Sequence, residues 1–320
     1  MNILILSCGT RNKIVQYMKR ELNGTGKVIC TDATDIAPAL YEADGFYVVP
    51  RIDDPGYLDT ILDICKKEKI DGAFSLIDPE LSLLMKHRVA FEQIGVRIIG
   101  SSFEACERTL NKWEMFCWLV KRGFKTALSY LSIEDFEKDL NLNKVHFPVF
   151  VKPICGSASL NISKVYDMQT LKVLFANTPG LMIQEYMHGQ EIGADCYIDI
   201  ISKKLVSVFT KKKLLMRAGE TDKAISFKDD KLFELINEFV SESGFSGTID
   251  IDIFDVNGTY YISEVNPRFG GGYPHAYECG VNFMSCILNN LSGKENSQNI
   301  GNYDENVVMM KYNEIGLMRK

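Results

Sequence analysis

The sequence lacks the features that identify several large classes of protein. Its 320 residues contain no run of eighteen apolar residues, so we predict no membrane span. The first ten residues, MNILILSCGT, have no basic segment before their short apolar run, and we expect a buried strand there rather than a signal peptide. The four histidines are scattered along the chain, which argues against a metal site built on histidine.

The nine cysteines show no pattern either. They form no Cys-x-x-Cys pair and have no metal-like spacing. Unpatterned cysteines in odd number are typical of reduced thiols, most of them small buried apolar side chains. The sequence therefore predicts a cytoplasmic protein without a disulfide framework.

Two familiar nucleotide-binding motifs are missing. No GxxxxGK[ST] segment occurs, which excludes a P-loop as a motif. The stretch SCGTRNK after the first apolar run has one glycine where the GxGxxG fingerprint needs three. Asp32 has a spacing that suits a ribose-binding acid, so an NAD(P)-binding oxidoreductase remains a weaker alternative. The net charge of −6 argues against a nucleic-acid partner.

The apolar pattern of the first hundred residues alternates between strands and helices. Helical spacing occurs over 12–22 and 57–68, and short apolar runs lie between the helices. Such alternation predicts a doubly wound parallel α/β sheet, which binds ligands at the carboxyl ends of its strands. After Ser101 the pattern becomes mixed α+β, and the polar stretch 292–306 is expected to be loop-like.

The one basic run consists of Lys211, Lys212 and Lys213, with Arg217 close by. From the sequence alone, a solvated face explains these lysines about as well as a binding site does.

The segment 248–266, TIDIDIFDVNGTYYISEVN, predicts a β-hairpin. A two-residue turn at Asn257 and Gly258 would pair Val256 with Thr259 and place Asp252 and Glu264 on opposite faces. A three-residue loop with Gly258 in a left-handed bulge position would place the two acids on the same face. We favour the three-residue loop.

That register collects oxygen ligands on one face of the hairpin. They are Asp250, Asp252, Glu264 and Asn266, with Ile262 among them. Neighbouring carboxylates at ~4 Å repel by roughly 4 kcal/mol at an effective dielectric constant of ~20, so a cation or solvent must offset them. Carboxylate and amide oxygens suit Mg²⁺, and Arg268, directly after the hairpin, suits a phosphoryl group or an acyl phosphate. A solvated hairpin face is the general alternative.

Segments upstream of the hairpin could grip a nucleotide without a P-loop. Lys152 interrupts the apolar strand FPVFVKP, and a loop of small residues follows it. The backbone N–H groups of that loop, at Gly156, Ser157 and Ser159, could cover phosphates. Lys112 begins a predicted helix. Each of these signals is weak alone.

Taken together and in this order, the segments resemble the ATP-grasp superfamily, most closely its carbamoyl-phosphate synthase large-chain-like members. The resemblance covers roughly residues 1–290 and implies an N-terminal doubly wound parallel sheet, the pre-ATP-grasp domain, over 1–103. A two-subdomain ATP-grasp fold would follow over 104–320. Within it we expect a lid at about 124–190, a metal-binding hairpin at 247–268 and a C-terminal tail at 291–320.

The resemblance also implies roles for individual residues. The phosphate-binding lysines would be Lys112 and Lys152, helped by the loop at Gly156, Ser157 and Ser159. Adenine would lie near Glu185, Tyr186 and Met187, with ribose at Glu191. The metal ligands would be Asp252, Glu264 and Asn266, with Asp250 as an auxiliary acid and Arg268 at the reacting phosphate. Lys211, Arg217 and Glu220 would approach the triphosphate from the other side. The family usually has Asp before the first lysine, and this chain has Asn111.

The function implied is that of an ATP- and Mg²⁺- (or Mn²⁺-) dependent ligase, which activates a small-molecule carboxylate as an acyl phosphate for attack by an amine or another nucleophile. Only one such unit fits in 320 residues, so we favour a stand-alone ligase over a full carbamoyl-phosphate synthase. A catalytically idle ATP-binding regulatory subunit is the main alternative. We expect no membrane or nucleic-acid partner, and a homodimer is the default expectation for assembly.

Overall fold

The computed structural model describes residues 1–156, 162–217 and 219–318 of the chain. Five parallel strands form the N-terminal sheet in the order β3-β2-β1-β4-β5. The strands are β1 (Ile3–Leu6), β2 (Val28–Asp32), β3 (Gly45–Val48), β4 (Gly72–Ser75) and β5 (Arg97–Ile98). The helices between them are α1 (Asn12–Leu22), α2 (Tyr57–Glu68), α3 (Asp78–Lys86) and α4 (Arg88–Gln93), with a 3₁₀ turn at Pro38–Glu42.

Strand β1 shows that this sheet is covered on both faces. Ile3 and Ile5 pack into one apolar cluster, whereas Leu4 and Leu6 pack into another. Because successive side chains of a strand point to opposite faces, the two clusters lie on opposite sides of the sheet. The doubly wound parallel sheet predicted from the sequence is therefore confirmed.

Two helices connect this sheet to the rest of the chain, α5 (Phe103–Leu110) and α6 (Lys112–Lys121). A four-stranded antiparallel sheet follows in the order β6-β9-β7-β8. Its elements are β6 (Ser129–Tyr130), α7 (Ile133–Asn141), β7 (Val149–Pro153), β8 (Ser163–Val165), α8 (Met168–Asn177) and β9 (Leu181–Glu185). An apolar cluster joins both helices to the sheet. The whole sheet falls within the interval expected for the lid, although α7 was not predicted.

The third sheet is the largest, in the order β14-β13-β10-β11-β12-β16, with β15 beside β11. Its strands are β10 (Gln190–Ile198), β11 (Leu205–Arg217), β12 (Glu220–Phe227), β13 (Gly247–Val256), β14 (Thr259–Asn266), β15 (Asn299–Ile300) and β16 (Val308–Met310). The accompanying helices are α9 (Asp230–Ser243), α10 (Tyr273–Glu278) and α11 (Phe283–Leu291). The isoleucines of β13 pack with α9 in one cluster.

The opposite side of this sheet shares a core with the N-terminal sheet. Tyr197 and Phe209 of the large sheet and Tyr273 of α10 belong to the same apolar cluster as Ile3 and Tyr17. Burial of this shared apolar surface holds the two parts of the chain together. It also brings the carboxyl ends of β1 and β4 to the loop that follows β14.

Several boundaries differ from the sequence prediction. The apolar residues of 206–210 predict a strand, but β11 continues to Arg217, and the sequence predicts no strand where β12 lies. The stretch 292–306 is not purely loop-like, because it contributes β15 and the buried ring of Tyr303. In the part of the chain that the structure describes, no helix has both the length and the apolar character needed to cross a bilayer.

Candidate active site

The hairpin β13–β14 has a different turn from the one predicted, yet brings the acids together. Val256 pairs with Thr259 across a two-residue turn, so the predicted three-residue loop is wrong. Asn257 and Gly258 have φ values of 53° and 79°, as a tight primed turn requires. A bulge then leaves Ser263 unpaired, and this extra residue shifts the register by one.

Below the bulge, Asp252 pairs with Glu264, and Asp250 pairs with Asn266. Directly opposed residues on antiparallel strands point to the same face, so the predicted grouping of these four is confirmed. Ile262 does not belong to that face. It pairs with Ile253 above the bulge and is buried in the core.

The donor set on this face fits Mg²⁺ by its chemistry. Asp252 and Glu264 supply carboxylates and Asn266 supplies an amide oxygen, all hard ligands. Among the described residues, no group of three or more His, Cys, Asp or Glu side chains lies in a metal-binding arrangement. With two carboxylates and one amide, the ion would take its remaining ligands from water and phosphate, as Mg²⁺ commonly does.

The lysine run lies inside β11, and strand alternation divides it. Lys211 and Lys213 are buried, whereas Lys212 is exposed. Lys213 donates to Glu191 Oε1 at 2.8 Å and to Asp252 Oδ1 at 2.6 Å. Burial alone would lower the pKa of Lys213, but Asp252 and Glu191 outweigh it and raise the pKa. Lys211 forms a buried ion pair with Asp195. A single solvated face is thus the wrong interpretation of this run.

Lys152 of β7 is buried and donates to Gln184 Oε1 at 2.6 Å. The Gln184 amide in turn donates to Ser129 Oγ at 3.2 Å, which fixes the orientation of the amide. The pKa of Lys152 is lowered to about 8. Burial is the largest cause, Glu264 opposes the shift, and Lys112 adds to it. A desolvated ammonium held by one neutral oxygen is suited to binding an anion.

Lys112 begins α6, and its position depends on a helix cap. The Asn111 side chain accepts the backbone N–H groups of Trp113 and Glu114, each at 3.1 Å. Asn and Asp cap helices about equally well, so Asn111 keeps the cap where the resemblance leads us to expect Asp. Lys112 Nζ lies 3.8 Å from Glu264 Oε1 and also donates to the carbonyl oxygen of Gly156.

Lys112, Lys152, Gln184 and Glu264 line one cleft between α6, β7, β9 and β14. Two cations from different elements thus face a carboxylate of the hairpin. The predicted positions Ser157 and Ser159 lie outside the described residues. Gly156, just before them, has a φ of 120°, which favours glycine.

The predicted adenine and ribose residues lie at the junction of β9 and β10. Glu185 Oε2 accepts the backbone N–H of Leu128 at 3.0 Å, so this carboxylate braces the strand end. The Tyr186 ring packs against Phe150 and lies 3.6 Å from Lys164 Nζ. Met187 follows at the strand end, half-buried.

Two other predicted residues are held by ion pairs. Glu191 is bound by Lys213, so a ribose would share this carboxylate with a lysine. Arg217 ends β11 with 63% of its side chain exposed, and its nearest carboxylate oxygen is Asp222 Oδ2 at 3.6 Å.

The three glycines after β14 each lie against a charged side chain. A Cβ at Gly270 would lie 2.5 Å from the Asp250 carboxylate carbon. One at Gly271 would lie 2.8 Å from Arg11 Nη1, and one at Gly272 would lie 2.8 Å from Lys211 Cε. Side chains at these positions would collide with the charged groups, which explains the run of glycine.

Arg268 joins this loop to the N-terminal sheet. Its Nε donates to Asp78 Oδ2 at 3.2 Å, and Asp78 is the first residue of α3. Burial would lower the pKa of Arg268, but Asp78 and Asp250 raise it, so the guanidinium is firmly charged. Asp250, buried beside Asp252 and Asp195, has its own pKa raised.

The loop after β1 is held by two carboxylates. Gly9 N donates to Asp32 Oδ2 at 2.9 Å, and Thr34 N donates to Asp32 Oδ1 at 3.2 Å. Ser7 Oγ donates to the buried Glu80 at 2.9 Å. Both oxygens of Asp32 accept backbone N–H groups, so this carboxylate stabilises the loop. It therefore gives no support to the alternative of an NAD(P)-binding oxidoreductase, in which Asp32 would bind ribose.

Sequence reasoning missed Lys213, Gln184 and Arg11 as parts of the site. Lys213 could have been found, because residues two apart on a strand share a face and the run has lysine at 211 and 213. The others depend on contacts between segments far apart in the chain. His275 is buried in α10, and burial lowers its pKa to about 4.

Comparison with known proteins agrees with the two-part architecture. Residues 3–99 match the family model described as "PylC-like, N-terminal domain". Residues 177–315 match the model described as "ATP-grasp in the biosynthetic pathway with Ter operon". Residues 177–315 therefore match an ATP-grasp family, as the resemblance predicted, and the hairpin β13–β14 lies inside the matched region.

This chain is similar to two curated enzymes over part of their length. It is 26% identical over 221 residues to a D-alanine–D-alanine ligase of Campylobacter concisus, covering 63% of this chain and 62% of the relative. It is 24% identical over 241 residues to a carbamoyl phosphate synthase large chain of Thermoanaerobacter, covering 67% of this chain and 21% of the relative. The chain thus spans less than two thirds of the length of either relative.

Solved ATP-grasp structures share the fold. The N5-carboxyaminoimidazole synthetase of Staphylococcus aureus, complexed with ADP, superposes with a TM-score of 0.74 at 17% identity, covering 93% of this chain and 78% of that one. The biotin carboxylase domain of Hydrogenobacter thermophilus 2-oxoglutarate carboxylase, a dimer in complex with MgADP, gives 0.73 at 16% identity, covering 96% and 73%. At these identities the likeness shows the fold.

Proposed function

We propose that this ATP-grasp protein is a Mg-ATP-dependent ligase, which activates a small-molecule carboxylate as an acyl phosphate and joins it to an amine. The observation that carries the proposal is the cleft in which Lys112 and Lys152 face Glu264 of the hairpin. It combines two cations for phosphate with one carboxylate for a metal, which is the charge pattern that phosphoryl transfer needs. The ligase named among the relatives supports the same reaction class.

The residues present can perform both steps. A carboxylate oxygen of the substrate attacks the γ-phosphorus, a P–O bond forms, and the bond to ADP breaks. The amine then attacks the acyl carbon, phosphate leaves, and the nitrogen loses a proton to solvent. Lys112 and Lys152 would neutralise the phosphates, and Arg268 would hold the reacting carboxylate and acyl phosphate. Asp252, Glu264 and Asn266 would hold the metal, which screens the β- and γ-phosphates when bound.

The finer assignments complete the proposal. Adenine would lie at Glu185, Tyr186 and Met187, where β9 ends, and ribose at Glu191. Mg²⁺ is the metal proposed, with Mn²⁺ as a substitute because it accepts the same oxygen ligands. A cytoplasmic location and a homodimer are part of the proposal, and the dimer named for one solved relative supports the latter.

ADP release from Mg-ATP tests the function. We expect ADP formation to require a deproteinised metabolite extract, with mass spectrometry showing which compound is consumed. The matched control is the same assay without metal, which should be inactive. If Mg-ATP binds but no extract stimulates ADP release, the protein is an idle nucleotide-binding subunit and the ligase proposal is wrong.

The affinity for Mg-ATP is expected to fall as the pH rises through 8. The phosphates need the charged form of Lys152, and burial lowers the pKa of this lysine to about 8. Each pH unit above 8 should therefore weaken the binding of Mg-ATP by up to about tenfold. Calorimetry from about pH 7 to 9.5 would show this loss, with proton uptake near pH 8. Lys152→Arg is the control, because a guanidinium stays charged throughout this range. Equal affinity across the range would contradict the role of Lys152.

A further inference from the structure

Arg11 and Glu220 form an ion pair that the proposed reaction does not yet use. Arg11 lies in the loop between β1 and α1, and its Nη2 is 3.0 Å from Glu220 Oε1 at the start of β12. Lys311 Nζ approaches the other oxygen of Glu220 at 3.0 Å. Three distant segments of the chain thus meet at one carboxylate.

This pair lies directly on the glycine loop. A Cβ at Gly271 would be 2.8 Å from both Arg11 Nη1 and Glu220 Cδ. The same loop begins beside Arg268, which is placed at the reacting carboxylate. Arg268 lowers the pKa of Arg11, although burial is the larger cause, so the two guanidiniums are close enough to interact. Two guanidiniums therefore flank one short stretch of bare backbone.

One carboxylate beside the two guanidiniums, that of Asp78, is not fully satisfied. Asp78 is 5% exposed, and its Oδ2 accepts from Arg268. Its Oδ1 is buried with no hydrogen-bond partner among the described residues. Buried polar atoms without partners are rare in folded proteins and often mark a place that a ligand completes.

Stability alone is a weak reason for the Arg11–Glu220 pair. Its side chains are 21% and 38% exposed, and partly exposed ion pairs contribute about 0–1 kcal/mol. A guanidinium beside a carboxylate is, however, complementary to an amino acid, whose carboxylate and ammonium are joined through one carbon. Guanidinium binds carboxylate in a two-point fork, and a carboxylate accepts from an ammonium.

We propose that Arg11 and Glu220 select the substrate of this ligase, and that the substrate is an amino dicarboxylic acid. The reacting carboxylate lies at Arg268, the α-carboxylate lies at Arg11, and the ammonium lies at Glu220. Two carboxylates of one short molecule match the two guanidiniums that flank the glycine loop. This inference rests on the proposed ligase function and assigns the substrate class of the same site.

The test compares matched acids, with hydroxylamine as the nucleophile that traps the acyl phosphate as a hydroxamate. Glutamate, glutarate and 4-aminobutyrate form one set, in which glutarate lacks the ammonium and 4-aminobutyrate lacks the α-carboxylate. Aspartate, succinate and β-alanine form the shorter set. We expect one amino dicarboxylate to exceed both of its analogues in kcat/KM by at least about tenfold, the usual effect of losing a charge-assisted hydrogen bond.

Two variants separate recognition from structure. Arg11→Met should lower kcat/KM for the amino dicarboxylate by about 10- to 100-fold and leave the analogue without the α-carboxylate within about twofold. Glu220→Gln should abolish the preference over the analogue without the ammonium. Arg11→Lys should restore part of the loss. Arg51→Met is the matched control, because Arg51 is an exposed arginine of the same domain, paired with Asp53 at 3.4 Å.

The outcomes are distinguishable. If Arg11→Met lowers kcat/KM equally for all acids, the pair is structural and this inference is overturned. ADP formation with monocarboxylates alone would overturn it too, while leaving the ligase function intact. If no carboxylate and no metabolite extract supports ADP formation, the proposed function falls and this inference with it. If Arg11→Met does not fold, Glu220→Gln tests the same selection.

Discussion

Glu264→Gln is expected to reduce metal-dependent ADP formation by about 100-fold or more, because a metal ligand is lost at the transferring phosphate. Glu264 is the better of the two carboxylates to replace. Its side chain is 39% exposed and lies 3.8 Å from Lys112, whereas Asp252 binds the buried Lys213 at 2.6 Å. Removing Asp252 would leave that buried lysine with Glu191 as its remaining carboxylate, so the variant would lose stability as well as catalysis. The measurement is initial ADP release over a Mg²⁺ titration.

Glu234→Gln, at an exposed acid of α9, is the control for the loss of one negative charge. Thermal melting should show that Glu264→Gln still folds with a Tm close to that of the parent protein. If ADP release keeps its rate and its Mg²⁺ dependence in Glu264→Gln, the hairpin is not the metal site.

Lys152→Met is expected to abolish tight Mg-ATP binding and yet stabilise the protein. The lowered pKa of Lys152 means that the unfolded chain holds the proton more strongly than the folded chain does. The penalty on the folded state is therefore complete below pH 8 and shrinks as the pH rises towards the ordinary value of 10.5. The difference between a pKa of 10.5 and one of about 8 corresponds to a penalty of about 3 kcal/mol on the folded state. Replacing Lys152 removes this penalty but also loses the hydrogen bond to Gln184, which costs about 1 kcal/mol.

We therefore expect Lys152→Met to raise the free energy of unfolding by about 1–2 kcal/mol at neutral pH, with a Tm a few degrees higher. The same variant should lose the rise in Tm that Mg-ATP causes in the parent protein. Lys172→Met, at a lysine whose side chain is 59% exposed, is the control and should change neither quantity. A lower Tm together with unchanged ATP binding would show that Lys152 has a structural role.

Most helices were predictable from the sequence, because the apolar spacing that defines them lies within the helix itself. The helices over 12–22, 57–68 and 103–110 begin and end where the apolar spacing indicated. Strand β12 was missed because ETDKAISF mixes polar and apolar residues, and its burial depends on neighbours across the sheet. The extension of β11 was missed for a related reason, since Lys211 and Lys213 are buried only because Asp195, Glu191 and Asp252 neutralise them.

The site was partly predictable for the same reason. The hairpin acids and Lys152 lie in segments whose pattern shows an alternating or apolar strand, so their faces could be inferred. Arg11 and Asp78 carry no such pattern. They reach the glycine loop because an apolar core joins the N-terminal sheet to the large sheet, and that packing is decided far from either residue. Which loops meet is thus a property of the whole fold.

The bulge at Ser263 has a consequence for how the gene can change. Between the tight turn and Ser263, the residues of the two strands pair as the two-residue turn dictates. Beyond Ser263 the pairing is shifted by one residue. An in-frame deletion of the Ser263 codon would leave Ile262 opposite Ile253 and Glu264 opposite Asp252 in a regular ladder, so the acids would keep their face. Deleting the codon of Tyr260 or Tyr261 would instead turn Ile262 out of the core, so the position of a length change in this hairpin matters more than its size.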